Sequence, residues 1–198
     1  MPLSLIIATV SLESLAPYSQ SRKHDEPKLE GEGADDHDRR TWRSHQLVEN
    51  GTVHISASAF HQAVVSAARY SKRQIPGQGK ATWTKKFEAG IAMFSDIDLG
   101  VDPQSTDYID IYCNADGTRG SSKRVMRRFP TIPKWSATFD VHILDPIITR
   151  DVFEETVEIA GMFVGLGRYR PEKAGTNGRF KVAKLEWAAD RQPILKAA

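Results

Sequence analysis

The chain contains a single cysteine, Cys113, and no apolar run long enough to span a bilayer. One cysteine excludes an internal disulfide, and no Cys/His spacing matches a zinc site. The apolar start, "MPLSLIIATVSL", is shorter than a membrane-spanning helix and lacks the basic leader and cleavage site of a signal peptide. We therefore expect a cytoplasmic protein with no membrane partner, no metal and no other cofactor.

The sequence also has little net charge, since its formal charge is only +2. Hydrophobic residues make up 40% and charged residues 26%, which is typical of a folded chain and excludes general disorder. Despite this small net charge, two segments carry opposite charges. Residues 25–38 hold seven acidic side chains and one lysine, whereas residues 119–128 hold five basic side chains and none that is acidic. Local charge therefore indicates partners better than net charge does.

A nucleotide phosphate-binding loop is missing too. "GQGKAT" at residues 77–82 resembles the end of one, but Gln74 replaces the first glycine of the motif and Ala81 replaces its Ser or Thr. The surrounding basic, glycine-rich connection, with Lys72, Lys80 and an exposed Trp83, is instead suited to a polyanion with stackable bases. A solvated surface loop is an equally good interpretation.

Hydrophobic periodicity predicts the first half of the fold. Residues 3–12 predict a core strand, the polar residues 18–50 predict a long loop, and residues 58–72 predict a helix capped by Ser56 or Ser58. The side chains that share the apolar face of that helix are Phe60, Val64 and Ala67.

Residues 76–134 form a second predicted insertion, which follows the basic connection. "AGIAMFSDIDL" and "DYIDIYCN" predict strands. "NADGTRG" then supplies an Asp-Gly turn before "SKRVMRRF", so we expect a β-hairpin here.

The final third has the clearest pattern. "WSATFDVHIL" and "GRFKVAKLEW" alternate as strands do, and between them a helix is predicted from a cap at Thr149 to a glycine end at Gly165 or Gly167. The inner side of that helix is predicted to carry Val152, Ile159 and Phe163. Together with the first strand and helix, these elements predict an α+β fold with one ferredoxin-like or RRM-like βαββαβ core, in a single domain of residues 1–198.

A glycine-rich loop, residues 164–182, precedes the last strand. Its four glycines allow positive φ angles and an anion-binding nest of backbone amides, while its basic and aromatic side chains suit phosphates and bases. The pattern is typical of binding a single nucleic-acid strand with little sequence preference. An ordinary connection whose glycines only form turns is the alternative. The candidate residues are Gly165, Gly167, Arg168, Arg170, Lys173, Gly178 and Arg179.

The histidines raise the alternative of a nuclease. They are scattered along the sequence, and no pair is placed by it within the hydrogen-bond reach that general acid–base catalysis requires. His24, beside Arg22 and Lys23, is the strongest single candidate. Ser/His/Asp hydrolysis has no nucleophile-elbow motif to support it.

The acidic run offers oxygen ligands for a hard cation, although its spacing is not that of a calcium loop. Simple solvation, or contact with a basic face of a neighbouring subunit, explains such a run equally well. The carboxylates concerned are Glu30, Glu32, Asp35, Asp36 and Asp38.

Three separated segments resemble the RAMP superfamily, the RRM-like proteins of CRISPR effector complexes. "ATVSLESLAPYSQSR" resembles the first strand and the turn after it, and "VHISASAFHQAVVSAARY" resembles a short strand leading into the first helix. The glycine-rich loop resembles the superfamily's signature loop. "RVMRRFP…W", "AGMFVGLGRYRP" and "NGRFKV" are also similar to uncharacterised phage and prophage proteins, for which no activity is implied.

The resemblance implies a non-enzymatic backbone subunit of antiviral defence, assembled side by side on single-stranded RNA or DNA as a homo-oligomer or repeated subunit. A thumb-like insertion would part the bases. A metal-independent endoribonuclease and a phage-encoded interaction or inhibitor module that mimics an effector subunit are the alternatives. Besides the loop residues, the resemblance implies two further sets of nucleic-acid-binding residues. The first-strand turn would supply contacts to the phosphate backbone from Ser19, Gln20, Ser21, Arg22 and Lys23. The helix would supply His61 and Arg69.

Overall fold

The computed structural model describes residues 6–114 and 124–189. Its strands are β1 (Ile6–Ser14), β2 (Tyr18–Ser19), β3 (Val48–Glu49), β4 (Thr52–Ile55), β5 (Ile91–Ala92), β6 (Ile97–Val101), β7 (Asp107–Asn114), β8 (Arg124–Ile132), β9 (Ser136–Ile143) and β10 (Phe180–Ala189). Its α-helices are α1 (Ala34–Thr41), α2 (Ala57–Ser71), α3 (Thr84–Gly90) and α4 (Arg150–Ile159). None of these helices is long and apolar enough to cross a membrane.

The central sheet has the strand order β10-β1-β9-β5, and its pairs are antiparallel. Alternation within β1 points Ala8, Val10 and Leu12 into the core, where each is at most 1% exposed. Helix α2 lies between β1 and β5 in the chain, and α4 lies between β9 and β10. This βαββαβ order, with β1 between β10 and β9, is consistent with the predicted ferredoxin-like core.

Helix α2 packs as its periodicity predicts. Phe60, Val64 and Ala67 are all 0% exposed, so the predicted apolar face is confirmed. Ser56 occupies the N-cap position, but its side chain makes no capping bond. The Ala57 amide donates instead to a carboxylate oxygen of Asp96 at 2.7 Å, so a distant loop caps the helix.

Helix α4 departs from prediction at its carboxyl end. It continues into a π-helical turn, Ala160–Val164, and ends at Gly165 with φ 73°. A π turn has more residues per turn than an α-helix, so the apolar face shifts there. Val152 is buried as predicted, but Phe163 is 52% exposed, and its predicted place on the inner side is wrong.

The predicted loop at residues 18–50 contains helix α1 and a 3₁₀ turn, Trp42–His45, so an unbroken loop is wrong. Asp35 and Asp36 lie in the first turn of α1 and two arginines in its last, as the helix dipole favours. The carboxylate of Asp38 accepts a hydrogen bond from the Arg128 amide at 2.7 Å. Helix α1 is therefore held against strand β8.

Residues 76–134, predicted as an insertion, contain α3 and the β7–β8 hairpin but also β5, a strand of the central sheet, so part of this stretch belongs to the core. The expectation of an exposed Trp83 is wrong, because its side chain immediately precedes α3, belongs to the core cluster and is only 4% exposed. Strands β7 and β8 pair over their full length, as predicted, and β8 also pairs with β2. The predicted Asp-Gly turn between them lies outside the described residues.

Candidate nucleic-acid interface

A basic groove of about 1220 Å³ lies between the segment after β2, helix α1, the glycine-rich loop and the β7–β8 hairpin. Among the described residues, seven basic side chains line it, against two aspartates, Asp35 and Asp38. The predicted first-strand turn and the predicted loop therefore meet at one surface. The basic residues are Arg22, Lys23, Lys28, Arg124, Arg127, Arg168 and Lys173.

The glycine-rich loop is fastened to the strand β2 region by close backbone contacts. The Gly178 amide donates to the Pro17 carbonyl at 2.7 Å, and the Arg168 amide donates to the Ser19 carbonyl at 2.8 Å. A Cβ at Gly178 would lie 1.8 Å from the Leu166 carbonyl oxygen, and one at Gly167 would lie 2.3 Å from that of Ser19. At these glycines one stretch of backbone approaches another more closely than a side chain would allow.

The same hydrogen bonds remove part of the predicted anion nest. The amides of Leu166, Arg168 and Gly178 all donate to carbonyl groups of the chain. An amide so engaged is not available to a phosphate, so the nest is wrong for these three groups. At these positions the loop can therefore offer positive charge only through its side chains.

Arg168 is fixed at the groove by aromatic rings. Its guanidinium carbon lies 3.5 Å from the centre of the Phe129 ring and 4.9 Å from that of Tyr169. The flat guanidinium stacks on such rings by cation–π attraction, which an ammonium group supplies less well. Sequence reasoning missed Phe129, because only the fold brings the hairpin to the loop.

The opposite wall was also missed as a binding surface. Arg124 donates to the Tyr112 carbonyl at 2.8 Å, and its guanidinium lies 4.9 Å from the Tyr112 ring centre. The Tyr112 side chain is 54% exposed beside the groove, and that of Tyr169 is 37% exposed. Exposed rings among basic groups are suited to unpaired bases. The basic run of residues 119–128 was the available signal.

Three histidines from the predicted loop, His24, His37 and His45, converge in the groove; we call them the histidine cluster. The His24 ring centre lies 4.6 Å from that of His45 and 6.1 Å from that of His37. Burial, followed by the positive charges of His45 and His37, lowers the pKa of His24 below its ordinary 6.5. The spacing of the three histidines in the sequence follows no known motif. Only the neighbouring Arg22 and Lys23 indicated that His24 could belong to a site.

Ser19 and Gln20 do not present side chains to the groove. They are 1% and 8% exposed. The Gln20 amide donates to the Tyr18 hydroxyl at 2.9 Å and to the His54 carbonyl at 2.6 Å, and its oxygen accepts from the Leu47 amide at 2.8 Å. Their assignment as direct phosphate contacts is corrected to an internal, supporting position. Ser21, Arg22 and Lys23 are exposed at the groove.

The remaining predicted residues lie away from the groove lining. Arg170 pairs with Glu172 at 2.8 Å, and Arg179 donates to the Met162 carbonyl at 3.2 Å. Helix α2 contributes none of the lining residues, and its Arg69 pairs with Glu88 at 3.4 Å. The structure therefore does not bring these predicted residues to the groove: Gly165, Gly167, Gly178, Arg170, Arg179, His61, Arg69, Lys72, Lys80 and Trp83.

The open face of the central sheet has a different chemistry. The Thr9 hydroxyl donates to the Asp140 carboxylate at 2.6 Å, and the Ser11 and Thr138 hydroxyls lie 2.9 Å apart. An RRM stacks bases on aromatic residues at its sheet face. The middle of this sheet offers paired hydroxyl and carboxylate groups instead, so the basic groove is the better nucleic-acid candidate.

Two carboxylates of the acidic run, Glu32 and Asp38, are engaged within the protein. Arg40 pairs with Glu32 at 2.8 Å, and this hydrogen bond is the main reason that the pKa of Glu32 falls to about 2. Asp38 is held by the Arg128 amide. Among residues 6–114 and 124–189, no group of three or more His, Cys, Asp or Glu side chains is placed to hold a metal ion.

No protein-family model matches the chain, and no curated protein matches it. The chain is similar in structure to a chain of the cryo-EM structure of the Type III-B Cmr-beta bound to cognate target RNA. That match has a TM-score of 0.48 and 13% identity, and it covers 94% of this chain but only 62% of the other.

Two further solved structures are similar. Cmr6 from Pyrococcus furiosus matches with a TM-score of 0.48 and 12% identity, over 93% of this chain and 100% of that one. A chain of a CRISPR RNA-guided surveillance complex matches with a TM-score of 0.39 and 12% identity, over 87% of this chain and 65% of that one.

Proposed function

We propose that the protein binds single-stranded nucleic acid in the basic groove. The observation that carries this proposal is the convergence of Arg22 and Lys23 with Arg168 and Lys173, from opposite ends of the chain, in one groove. Long basic side chains on facing walls neutralise the phosphates of a strand laid between them. Such contacts position a strand without selecting its sequence.

Base stacking gives the strand a second type of contact. Tyr112 and Tyr169 expose rings at the groove, and each has an arginine within cation–π distance. Duplex bases are already stacked and paired, so exposed rings favour unpaired bases. The ligand class is therefore single-stranded RNA or DNA.

The finer role follows from the sequence resemblance. We propose a backbone-type subunit of a CRISPR-like effector or of a phage nucleoprotein assembly, repeated side by side inside the cell. The β7–β8 hairpin would be the thumb-like insertion, because it projects from the core and forms one wall of the groove.

We further propose that binding occurs without cleavage. The endoribonuclease alternative requires an acid and a base on opposite sides of a scissile phosphate. The His24 and His45 rings, with centres 4.6 Å apart, are in contact and leave no room between them, and His45 is only 8% exposed. Labelled RNA should be shifted but not shortened, and shortening that His24→Ala abolishes would favour the enzyme.

The test uses fluorescence anisotropy with labelled single-stranded RNA and DNA. Arg168→Glu with Lys173→Glu should abolish binding, because both side chains line the groove. The matched control is Lys181→Glu with Lys184→Glu, which makes the same change in charge at exposed positions of β10. Equal loss in both variants, with circular dichroism showing folded protein, would refute the groove as the site.

Salt provides an independent check on the same sample. For single strands, the logarithm of the binding constant falls by roughly 0.7 per neutralised phosphate for each tenfold rise in salt. Wild type should show a slope of several such contacts, and the groove variant a flatter one. A protein-interaction module would instead retain partners from nuclease-treated lysate and show no nucleic-acid binding.

A further inference from the structure

The histidine cluster is not needed to explain binding by the basic side chains. It occupies the part of the groove nearest Arg22 and Phe129, where the His45 ring centre lies 5.2 Å from that of Phe129. His45 is 8% exposed, and its Nε2 is buried without a hydrogen-bond partner in the described structure. A buried ring nitrogen without a hydrogen-bond partner lowers the stability of the folded protein, so its presence calls for an explanation.

Hydrogen bonds to backbone carbonyl groups define the neutral tautomers of His45 and His37. His45 Nδ1 lies 2.8 Å from the Arg22 carbonyl, and His37 Nε2 lies 2.8 Å from the Glu26 carbonyl. A carbonyl only accepts, so each of these nitrogens carries the hydrogen. In the neutral rings, the His45 Nε2 and the His37 Nδ1 are therefore lone pairs that can receive a proton.

We propose that the histidine cluster is a proton-linked phosphate subsite, which takes up a proton when a nucleic-acid phosphate enters the groove. The inference rests on the proposed function. In the empty groove, burial and the two neighbouring histidines oppose a positive charge on His24. A bound phosphate supplies negative charge and removes that opposition, so binding and protonation favour each other.

The groups that face the cluster come from every surrounding segment. Asp38 of α1 and Glu26 favour protonation of His24, whereas its burial and the other two histidines disfavour it. The lowered pKa of His24 favours the neutral form of that ring before ligand arrives. The groups are Arg22, Lys23, Glu26, Lys28, Asp35, Asp38, Tyr112, Cys113, Arg124, Arg127, Arg168, Tyr169 and Lys173.

Affinity should therefore rise on acidification. If phosphate raises the pKa of the cluster by one unit, affinity increases by up to about tenfold as the pH falls through the histidine range. The probe is a labelled single-stranded DNA, which lacks the 2′-hydroxyl group that in-line cleavage needs. Anisotropy is measured at several pH values between about 5.5 and 8.

Matched variants assign the proton. His24→Gln and His37→Gln should each reduce the pH dependence, and the double variant should remove most of it. His61→Gln on α2, outside the groove lining, is the control and should behave as wild type. Calorimetry in two buffers with different ionisation enthalpies should show net proton uptake by wild type and less by the double variant.

The outcomes separate this inference from the proposed function. Binding that depends on Arg168 but involves no proton uptake would overturn the subsite and leave the function intact. Uptake that persists when His45→Gln is added to the double variant would place the proton outside the cluster and also overturn the subsite. Absence of binding to single strands at any pH would refute both.

Discussion

The guanidinium carbon of Arg168 lies 3.5 Å from the centre of the Phe129 ring, which joins the glycine-rich loop to the β7–β8 hairpin across the groove. The contact orients a cation that would otherwise be a mobile surface side chain. It also makes the two walls of the groove depend on each other.

Arg168→Lys should weaken nucleic-acid binding although it keeps the charge. An ammonium lacks the flat face that stacks on Phe129, and the lost cation–π contact is worth about 0.5–1 kcal/mol. Phe129→Leu should have a similar effect, and the double variant should lose little more than either single one. Anisotropy titrations of the four proteins complete the cycle, and simple additivity would show that the contact does not position Arg168.

Gly178→Ala should destabilise the protein strongly. The new Cβ would lie 1.8 Å from the Leu166 carbonyl oxygen, at a φ of +72°. Gly79→Ala is the control, since its φ is +60° but nothing lies within 4 Å of the added atom. The control should lose about 1–2 kcal/mol of stability, because a non-glycine residue is strained in the left-handed conformation. Gly178→Ala should lose clearly more, because the steric clash is added to this strain. Thermal melting compares them, and equal losses would contradict the close approach.

The ligand-free protein should become less stable as the pH falls below about 6.5. The folded state lowers the pKa of His24, so the unfolded chain binds a proton more readily and acid favours unfolding. The urea concentration at the unfolding midpoint of wild type should therefore decrease between about pH 7.5 and pH 5.5, which is roughly the range in which histidine titrates. His24→Gln should show a smaller decrease, and an unchanged one would contradict the assignment.

Phe163→Ala should cost little stability, whereas Phe153→Ala should cost about 3–5 kcal/mol. The two aromatic residues belong to one continuous helical segment, but Phe163 is 52% exposed and Phe153 is 0% exposed. The π-helical turn is the reason for the difference. Denaturant unfolding of both variants tests it, and comparable losses would restore the inward orientation predicted from α-helical periodicity.

The core of this fold could be predicted because its signals are local. Strand β9 alternates so that Ala137, Val141 and Ile143 are buried, and helix α2 repeats its apolar residues every three or four positions. Such periodicities depend on neighbours in sequence.

The groove could be predicted only in part, because its other components depend on distant contacts. Helix α1 has few apolar residues and is held by strand β8 through Asp38, so hydrophobic periodicity does not predict it. Trp83 stands among lysines in sequence, yet the fold buries it. His24 and His45 meet only after the segment between them has formed α1.

The fastened backbone of the glycine-rich loop has a consequence for the thermodynamics of association. Hydrogen bonds from its backbone amides to the carbonyl groups of Pro17 and Ser19 order residues 167–178 before any ligand arrives. A strand that enters the groove therefore finds a preorganised wall, and little backbone entropy is lost on binding. The loss of conformational freedom occurs during folding, so the affinity reflects contacts made with the strand rather than work done to shape the loop.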